Sequence, residues 1–130
     1  MKKGLIVIII AAVMLTACAL ELTYVHNTFD KMEFEITSLM AEIEKDDENV
    51  RNPQTLQMVN GISELWDKRK RLAEVMLNHI LLIEYDSKIA RLKSDIEVDD
   101  RDLAKVDADQ LHTMTVELKE LHTPHIHNIF

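Results

Sequence analysis

The sequence predicts an all-α protein: an N-terminal membrane anchor followed by a small antiparallel three-helix bundle with a long central helix. Three observations point there. Apolar residues recur at steps of three and four in three separate segments, the spacing that puts them on one face of a helix. Only two Gly and two Pro interrupt 130 residues, and no stretch alternates apolar with polar as a half-buried strand does. Finally, the first twenty residues hold an uncharged apolar run behind two lysines. At this length there is room for one domain after the anchor, with residues 1–20 as signal or anchor and 21–130 as the helical body.

The anchor explains itself residue by residue. Lys2 and Lys3 precede residues 4–20, which carry no charge, and Glu21 is the first charge beyond them. Basic residues stay on the cytoplasmic side, so the N-terminus is expected in the cytoplasm and the body outside it. Leu15, Thr16 and Ala17 before Cys18 fit a lipoprotein signal, in which cleavage exposes Cys18 and its sulfur receives two acyl chains. The other reading is an uncleaved transmembrane helix, for which residues 4–20 are at the short edge of a ~20-residue span. Both tether the protein to the cell membrane.

The first body helix is expected over 21–48, on the stripe Leu22, Val25, Phe29, Met32, Ile36, Leu39, Ile43. Such a stripe packs against the chain's own next helix more readily than against a partner's. Asn52 and Pro53 supply a cap and a first-turn proline, so the central helix is expected to start there and run to residue 97, about 66 Å if unbroken. Asn60 and Gly61 mark a soft spot in it. This segment is apolar on two faces. One stripe follows Ile62, Leu65, Leu72, Met76, Ile80 and Ile83, the other Leu82, Tyr85, Ile89, Leu92 and Ile96, and they overlap between 75 and 83. The overlap predicts one helix covering two partners.

Within that helix, Lys68, Arg69, Lys70 and Arg71 point in four directions about 100° apart and form no single basic patch. They read as a solvated face paired with acids of the first helix such as Glu42 and Glu44. Trp66, the sole tryptophan, reads as a core ring, and His79 as a hydrogen-bonded core histidine. The turn at Glu97, Val98, Asp99 and Asp100, capped by Asp100, leads to a third helix over 100–122 with Leu103, Ala104, Ala108, Leu111, Met114, Leu118 and Leu121 inward. Pro124 ends it.

Chemistry is sparse. No glycine-rich phosphate loop, no Gly-x-Ser-x-Gly and no His-Glu-x-x-His is present, so no enzymatic activity and no cofactor are expected. The net charge is -8, and without Lys2 and Lys3 the remaining 13 basic and 23 acidic side chains carry -10, which repels nucleic acid. One cysteine excludes an internal disulfide framework. The sharpest candidate ligand set is His122, His125 and His127, three imidazoles suited to Zn²⁺ or Cu²⁺. Against it stands a tail that folds back through Ile126, Ile129 and Phe130.

Lys2 and Lys3 before an apolar anchor, Trp66, His79, the segment Ile89, Ala90, Arg91, Leu92, the acidic turn before Leu103 and Ala104, and the closing Asn128, Ile129, Phe130 together resemble a bacterial membrane-anchored family known as domain of unknown function 4363. The resemblance covers nearly the whole chain. It implies an α-helical body behind a single anchor, in bacteria with one membrane and often spore-forming, with no assigned catalytic residues. Trp66, His79 and Arg91 are among the residues it rests on and are read as structural. Two departures stand out: similar proteins tend to have an acidic pair after the histidine, where this chain has Ile80 and Leu81, and they tend to keep an uncleaved anchor. The expected function is a membrane-tethered, extracytoplasmic, non-enzymatic helical module that binds or scaffolds another envelope protein. A metal-binding lipoprotein using the histidine tail is the alternative, and an envelope hydrolase ranks last.

Overall fold

The computed structural model describes residues 2–45 and 49–121, except the side chain of Met76. The histidine tail, with His122, His125 and His127, lies outside the described residues. Four helices follow one another: α1 (Lys2–Lys45), α2 (Pro53–Met76), α3 (His79–Glu97) and α4 (Arg101–Leu121). They pack in cyclic order, α1 on α2, α2 on α3, α3 on α4 and α4 back on α1. The bundle is therefore four-helical.

The expected central helix from 53 to 97 is two helices. Leu77 and Asn78 take extended backbone angles, φ -102° and ψ 152°, then φ -60° and ψ 130°, and the chain reverses. Asn78 is the reason the break holds: its side chain accepts a hydrogen bond from Ile80 N at 2.9 Å and caps α3, while Leu77 N–H closes α2 on Ala73 O at 2.8 Å. Neither Gly nor Pro marks the spot. The two rotated stripes are thus the single inward faces of two antiparallel helices. Ile80 and Ile83, expected in the core, are 64% and 55% exposed, and Leu72 is also on the surface. Gly61, the expected soft spot, sits inside α2, which passes through it unbroken.

Elsewhere the stripes fall as their spacing dictates. Val25, Phe29, Met32, Ile36, Leu39 and Ile43 are buried on α1, and Leu82, Tyr85, Ile89, Leu92 and Ile96 on α3. On α4, Ala104, Ala108, Leu111 and Leu118 are buried, with Met114 packed against them, whereas Leu103 and Leu121 are exposed. α2 contributes Thr55, Val59, Ile62, Trp66 and Ala73. A single inward stripe per helix is all a four-membered ring requires.

The bundle end away from residues 2–20 is tied by polar groups. Asn52 and Thr55 form a reciprocal cap at the start of α2, each side chain bonded to the other's backbone N–H, with Pro53 following. Asp100 caps α4 through Leu103 N at 3.1 Å. Between α3 and α4, Asp99 adopts a left-handed φ of 60°, which Asp tolerates better than most residues. Its Oδ1 accepts from Val50 N at 2.9 Å and Arg51 N at 2.8 Å, so the α3–α4 turn holds the approach to α2. Asp99→Ala leaves these two N–H groups without their acceptor and is expected to cost about 1–3 kcal/mol. Asp99→Asn keeps an acceptor oxygen and should lose less. Thermal unfolding by far-UV circular dichroism measures both; equal, unchanged midpoints would count against the clamp.

Candidate functional site

Three places hold the residues that the sequence singled out or the fold brings together: the apolar start of α1, an aromatic layer at mid-bundle, and a carboxylate pair between α3 and α4. On the first, residues 2–20 are exposed throughout, and α1 alone among the described helices is long and apolar enough to cross a membrane. Cys18 lies there with an exposed thiol. The helix continues past residue 20 with no break, into the segment whose Val25 and Phe29 are buried in the bundle.

In the aromatic layer Trp66 is buried, its ring 5.9 Å from Phe29 and 4.6 Å from Tyr85, and Phe29 meets Tyr85 edge-on at 6.0 Å. Each polar tip is paired. Trp66 Nε1–H donates to Asp86, and the Tyr85 hydroxyl shares a 2.7 Å hydrogen bond with Thr115, whose own hydroxyl reaches Leu111 O. Burial pushes the Tyr85 phenol well above its ordinary range, so it remains a neutral hydrogen-bonding group. His79 is not in this layer. It is the first residue of α3 and exposed, because the chain reverses just before it.

The basic run is divided by the helix. The Arg69 guanidinium lies 5.1 Å from the Tyr24 ring centroid, and Lys70 reaches Asp67 at 3.4 Å and Asp86 at 3.9 Å. Glu42 and Glu44, expected as partners of this run, instead pair with Lys45 at 3.2 Å and Lys105 at 3.3 Å. They sit at the far end of α1 from it. On α4, Lys119 bonds Asp30 at 2.8 Å and Glu33 at 2.9 Å, and this ammonium holds the Asp30 carboxyl below its usual range. Exposed pairs of this kind contribute about 0.2–1 kcal/mol each and act mainly on register.

The carboxylate pair was not legible in the sequence. Asp107 faces inward between Ala104 and Ala108, its side chain only 4% exposed, and meets Asp95 of α3. Arg91, one turn before Asp95, brings Nε to 3.9 Å from Asp107 Oδ2, while most of its side chain stays in solvent. Asp95 Oδ2 and Asp107 Oδ2 are both buried and receive no hydrogen bond from a protein donor. Burial, then the hydrogen bond and charge of Asp107, then Asp100, push Asp95 up to about 6, against the opposing pull of Arg91. Below about pH 6 a proton on Asp95 supplies the O–H that the two oxygens otherwise lack.

As a site of chemistry the pair is bare. The shallow groove nearest in sequence, about 190 Å³ between α1 and α4, is lined by Met40, Ile43, Glu44, Lys105, Ala108 and Asp109 and does not include either acid. Among the described residues no three His, Cys, Asp or Glu side chains converge as a metal-binding set. The consequence of the pair is for stability. Because the folded state raises the pKa of Asp95 from 3.8, it binds more protons than the unfolded chain between about pH 4 and 6. The pair's contribution is therefore favourable at low pH and lost as pH rises through 6. Asp95→Asn, neutral at every pH, is expected to raise the unfolding midpoint at pH 7.5 and to flatten its dependence between pH 4.5 and 7; a variant with the parental pH slope would refute this.

No curated protein and no solved structure matches the chain. A family match extends from residue 19, directly after Cys18, to residue 129, and so takes in the bundle portion of α1 and the whole of α2, α3 and α4. This chain belongs to the family described as Domain of unknown function (DUF4363).

Proposed function

We propose that this protein is a membrane-tethered, non-enzymatic helical module, held by its N-terminus with the bundle outside the cytoplasm, that binds or scaffolds another envelope protein. The observation that carries this reading is the continuity of α1. One helix supplies both the exposed apolar segment 2–20 and the buried stripe from Val25 to Ile43, so anchor and bundle are joined with no flexible linker. A tether built this way fixes the orientation of the body on the membrane, which suits a module that presents a surface and gives no advantage to a freely diffusing catalyst. Lys2 and Lys3 ahead of the segment and Glu21 after it favour an outward body.

Cys18 is proposed as the lipidation site; cleavage after Ala17 removes the apolar part of α1, and acyl chains on Cys18, the first residue of the helix that remains, then hold the bundle at the membrane without a linker. Mass spectrometry of the membrane-extracted protein is expected to show an acylated Cys18 as the first residue; an N-terminal peptide that still carries Met1 and an unmodified Cys18 overturns lipidation and leaves α1 as a transmembrane helix.

Partner binding has a natural probe in Phe34, an aromatic side chain 70% exposed on α1 beside Asp30, Lys31, Glu35 and Leu65. A photo-crosslinking amino acid at Phe34 is expected to yield one discrete protein adduct in intact cells, absent when the probe replaces exposed Glu117 on α4. Identical adduct patterns at the two positions, or none at either, would speak against a binding surface here.

A further inference from the structure

Among the described residues outside 2–20, the largest local group of exposed aliphatic side chains lies at the α2–α3 corner. Val75 is 75% exposed, Ile80 64%, Ile83 55%, and Leu72 is also on the surface. Val75 lies opposite the buried stripe of α2 with Leu72 on the flank beside buried Ala73, and Ile80 and Ile83 share the outward face of α3, each pair three residues apart. α2 also carries Lys68 four residues before Leu72, and Arg71 four residues before Val75. Whereas Arg69 and Lys70 turn toward Tyr24 and Asp86, Lys68 and Arg71 are exposed and enter no ion pair among the described residues.

The register of the bundle fixes where this corner sits. α2 runs antiparallel to α1, with Trp66 beside Phe29 and Arg69 over Tyr24. Each further residue of α2 therefore descends one residue of α1, about 1.5 Å, which brings the end of α2 level with residues 17–20, where the apolar segment meets the bundle. Arg71 and Lys68 lie about 8 and 12 Å above the last residue of α2, and Ile80 and Ile83 stand in the first turns of α3, which rises from the corner to Tyr85 in the aromatic layer. A headgroup layer is about 5–7 Å deep on each side of a bilayer, enough to take in the aliphatic positions, and the long side chains of Arg71 and Lys68 bridge the rest of the distance.

We propose that the α2–α3 corner is a second membrane contact, with Leu72, Val75, Ile80 and Ile83 in the headgroup–acyl boundary of the leaflet from which α1 emerges and Lys68 and Arg71 on anionic headgroups. The inference rests on the membrane-tether reading above and holds for either anchor, since Cys18 lies at the same level. For the uncleaved anchor length supports it: residues 4–20 extend about 25 Å as a helix against a hydrocarbon core of about 30 Å, so an anchor of that length draws the end of the bundle into the interface. Charge supports it as well. The body is strongly acidic, yet residues 68–76 hold four basic side chains and one acid, Glu74, at the end nearest the anchor. Lysine and arginine above aliphatic side chains on one helical face is the arrangement that lets the cations reach headgroups while their stems and the aliphatics meet lipid. Exposed Glu74 and Glu84 limit the depth to the hydrated boundary.

The test uses the full chain with Cys18→Ser, which retains residues 1–20, reconstituted in vesicles of phosphatidylglycerol and phosphatidylethanolamine. An environment-sensitive fluorophore is attached through Val75→Cys, Ile80→Cys or, at the opposite end of the bundle, Leu103→Cys, all exposed positions whose substitution leaves the core intact. Probes at 75 and 80 are expected to emit to the blue of the probe at 103, to resist quenching by aqueous iodide several-fold better, and to be quenched by nitroxides placed near the lipid headgroup. Adding Lys68→Glu and Arg71→Glu is expected to return both probes toward the behaviour of position 103. Flotation of the same samples separates the two ideas. Protein that fails to float with the vesicles overturns the tether itself. Protein that floats while all three probes quench alike in iodide overturns the corner contact and leaves the tether standing.

Discussion

One residue from each helix meets at mid-bundle, and the rest of the structure takes its alignment from there. Phe29 of α1, Trp66 of α2 and Tyr85 of α3 form a mutual ring cluster, and Thr115 of α4 closes it by its hydrogen bond to Tyr85. Aromatic area alone would tolerate sliding of one helix past another. The polar tips do not, because a shift of one turn would leave the buried Tyr85 hydroxyl and the Trp66 N–H without partners, a cost of about 1–3 kcal/mol each. Those two bonds convert a greasy interface into a fixed register. The level of the α2–α3 corner beside residues 17–20, the meeting of Asp95 with Asp107 and the reach of Lys119 to Asp30 all follow from that register.

How much of this was legible in the sequence depended on whether a helix announces itself by what it buries or by where it stops. The α1 and α3 stripes were largely readable, since steps of three and four among Val25, Phe29, Met32, Ile36, Leu39 and Ile43 admit no competing pattern, although Leu22 at the head of the expected stripe is only half-buried and buried Thr28 lay outside it. The stop at Leu77 and Asn78 was hidden because it uses neither Gly nor Pro. Leu77 looks like one more core residue, and indeed it is buried, but in extended backbone between helices. The signal was present in another form. Two apolar stripes rotated from each other and overlapping between 75 and 83 fit a helix with two faces, but also a reversal in which each stripe belongs to its own helix. A capping residue, Asn78, at the overlap favours the reversal, because a short polar side chain competes for backbone N–H groups and is at home where a helix begins. His79 was assigned to the core through the same mistake, as were Ile80 and Ile83.

The buried polar groups were missed for a different reason. Asp107 and Thr115 occupy inward positions of α4, yet carboxylates and hydroxyls count as surface residues when only one chain segment is in view. What makes them tolerable is the partner on α3: Tyr85 for Thr115, and the proton of Asp95 for Asp107. No periodicity in one helix reports a partner on the next. A charged pair of like sign inside a bundle is also a cost, relieved only while one member stays protonated, so this layer trades stability near neutral pH for an α3–α4 contact that an aliphatic pair would not specify.

The two ends of the bundle differ in their side chains rather than in helix direction, since the far end holds the starts of α2 and α4 together with the ends of α1 and α3. The exposed N–H groups that begin α2 and α4 are met by Asn52, Asp99 and Asp100. At the other end α2 and α4 finish and α3 begins, and Lys68 and Arg71 stand out of the acidic body on the outward face of α2's last turns. A bundle whose four consecutive basic residues, Lys68 to Arg71, lie toward the apolar segment and whose acidic turn at Glu97, Asp99, Asp100 and Asp102 lies away from it is polarised along α1, the helix that joins both ends. Such polarity has no effect on the packing of the core, where every helix buries one stripe regardless. It does act on a charged planar surface perpendicular to α1, repelling the far end and attracting the near one, so the rigid helix and the charge gradient favour the same upright orientation.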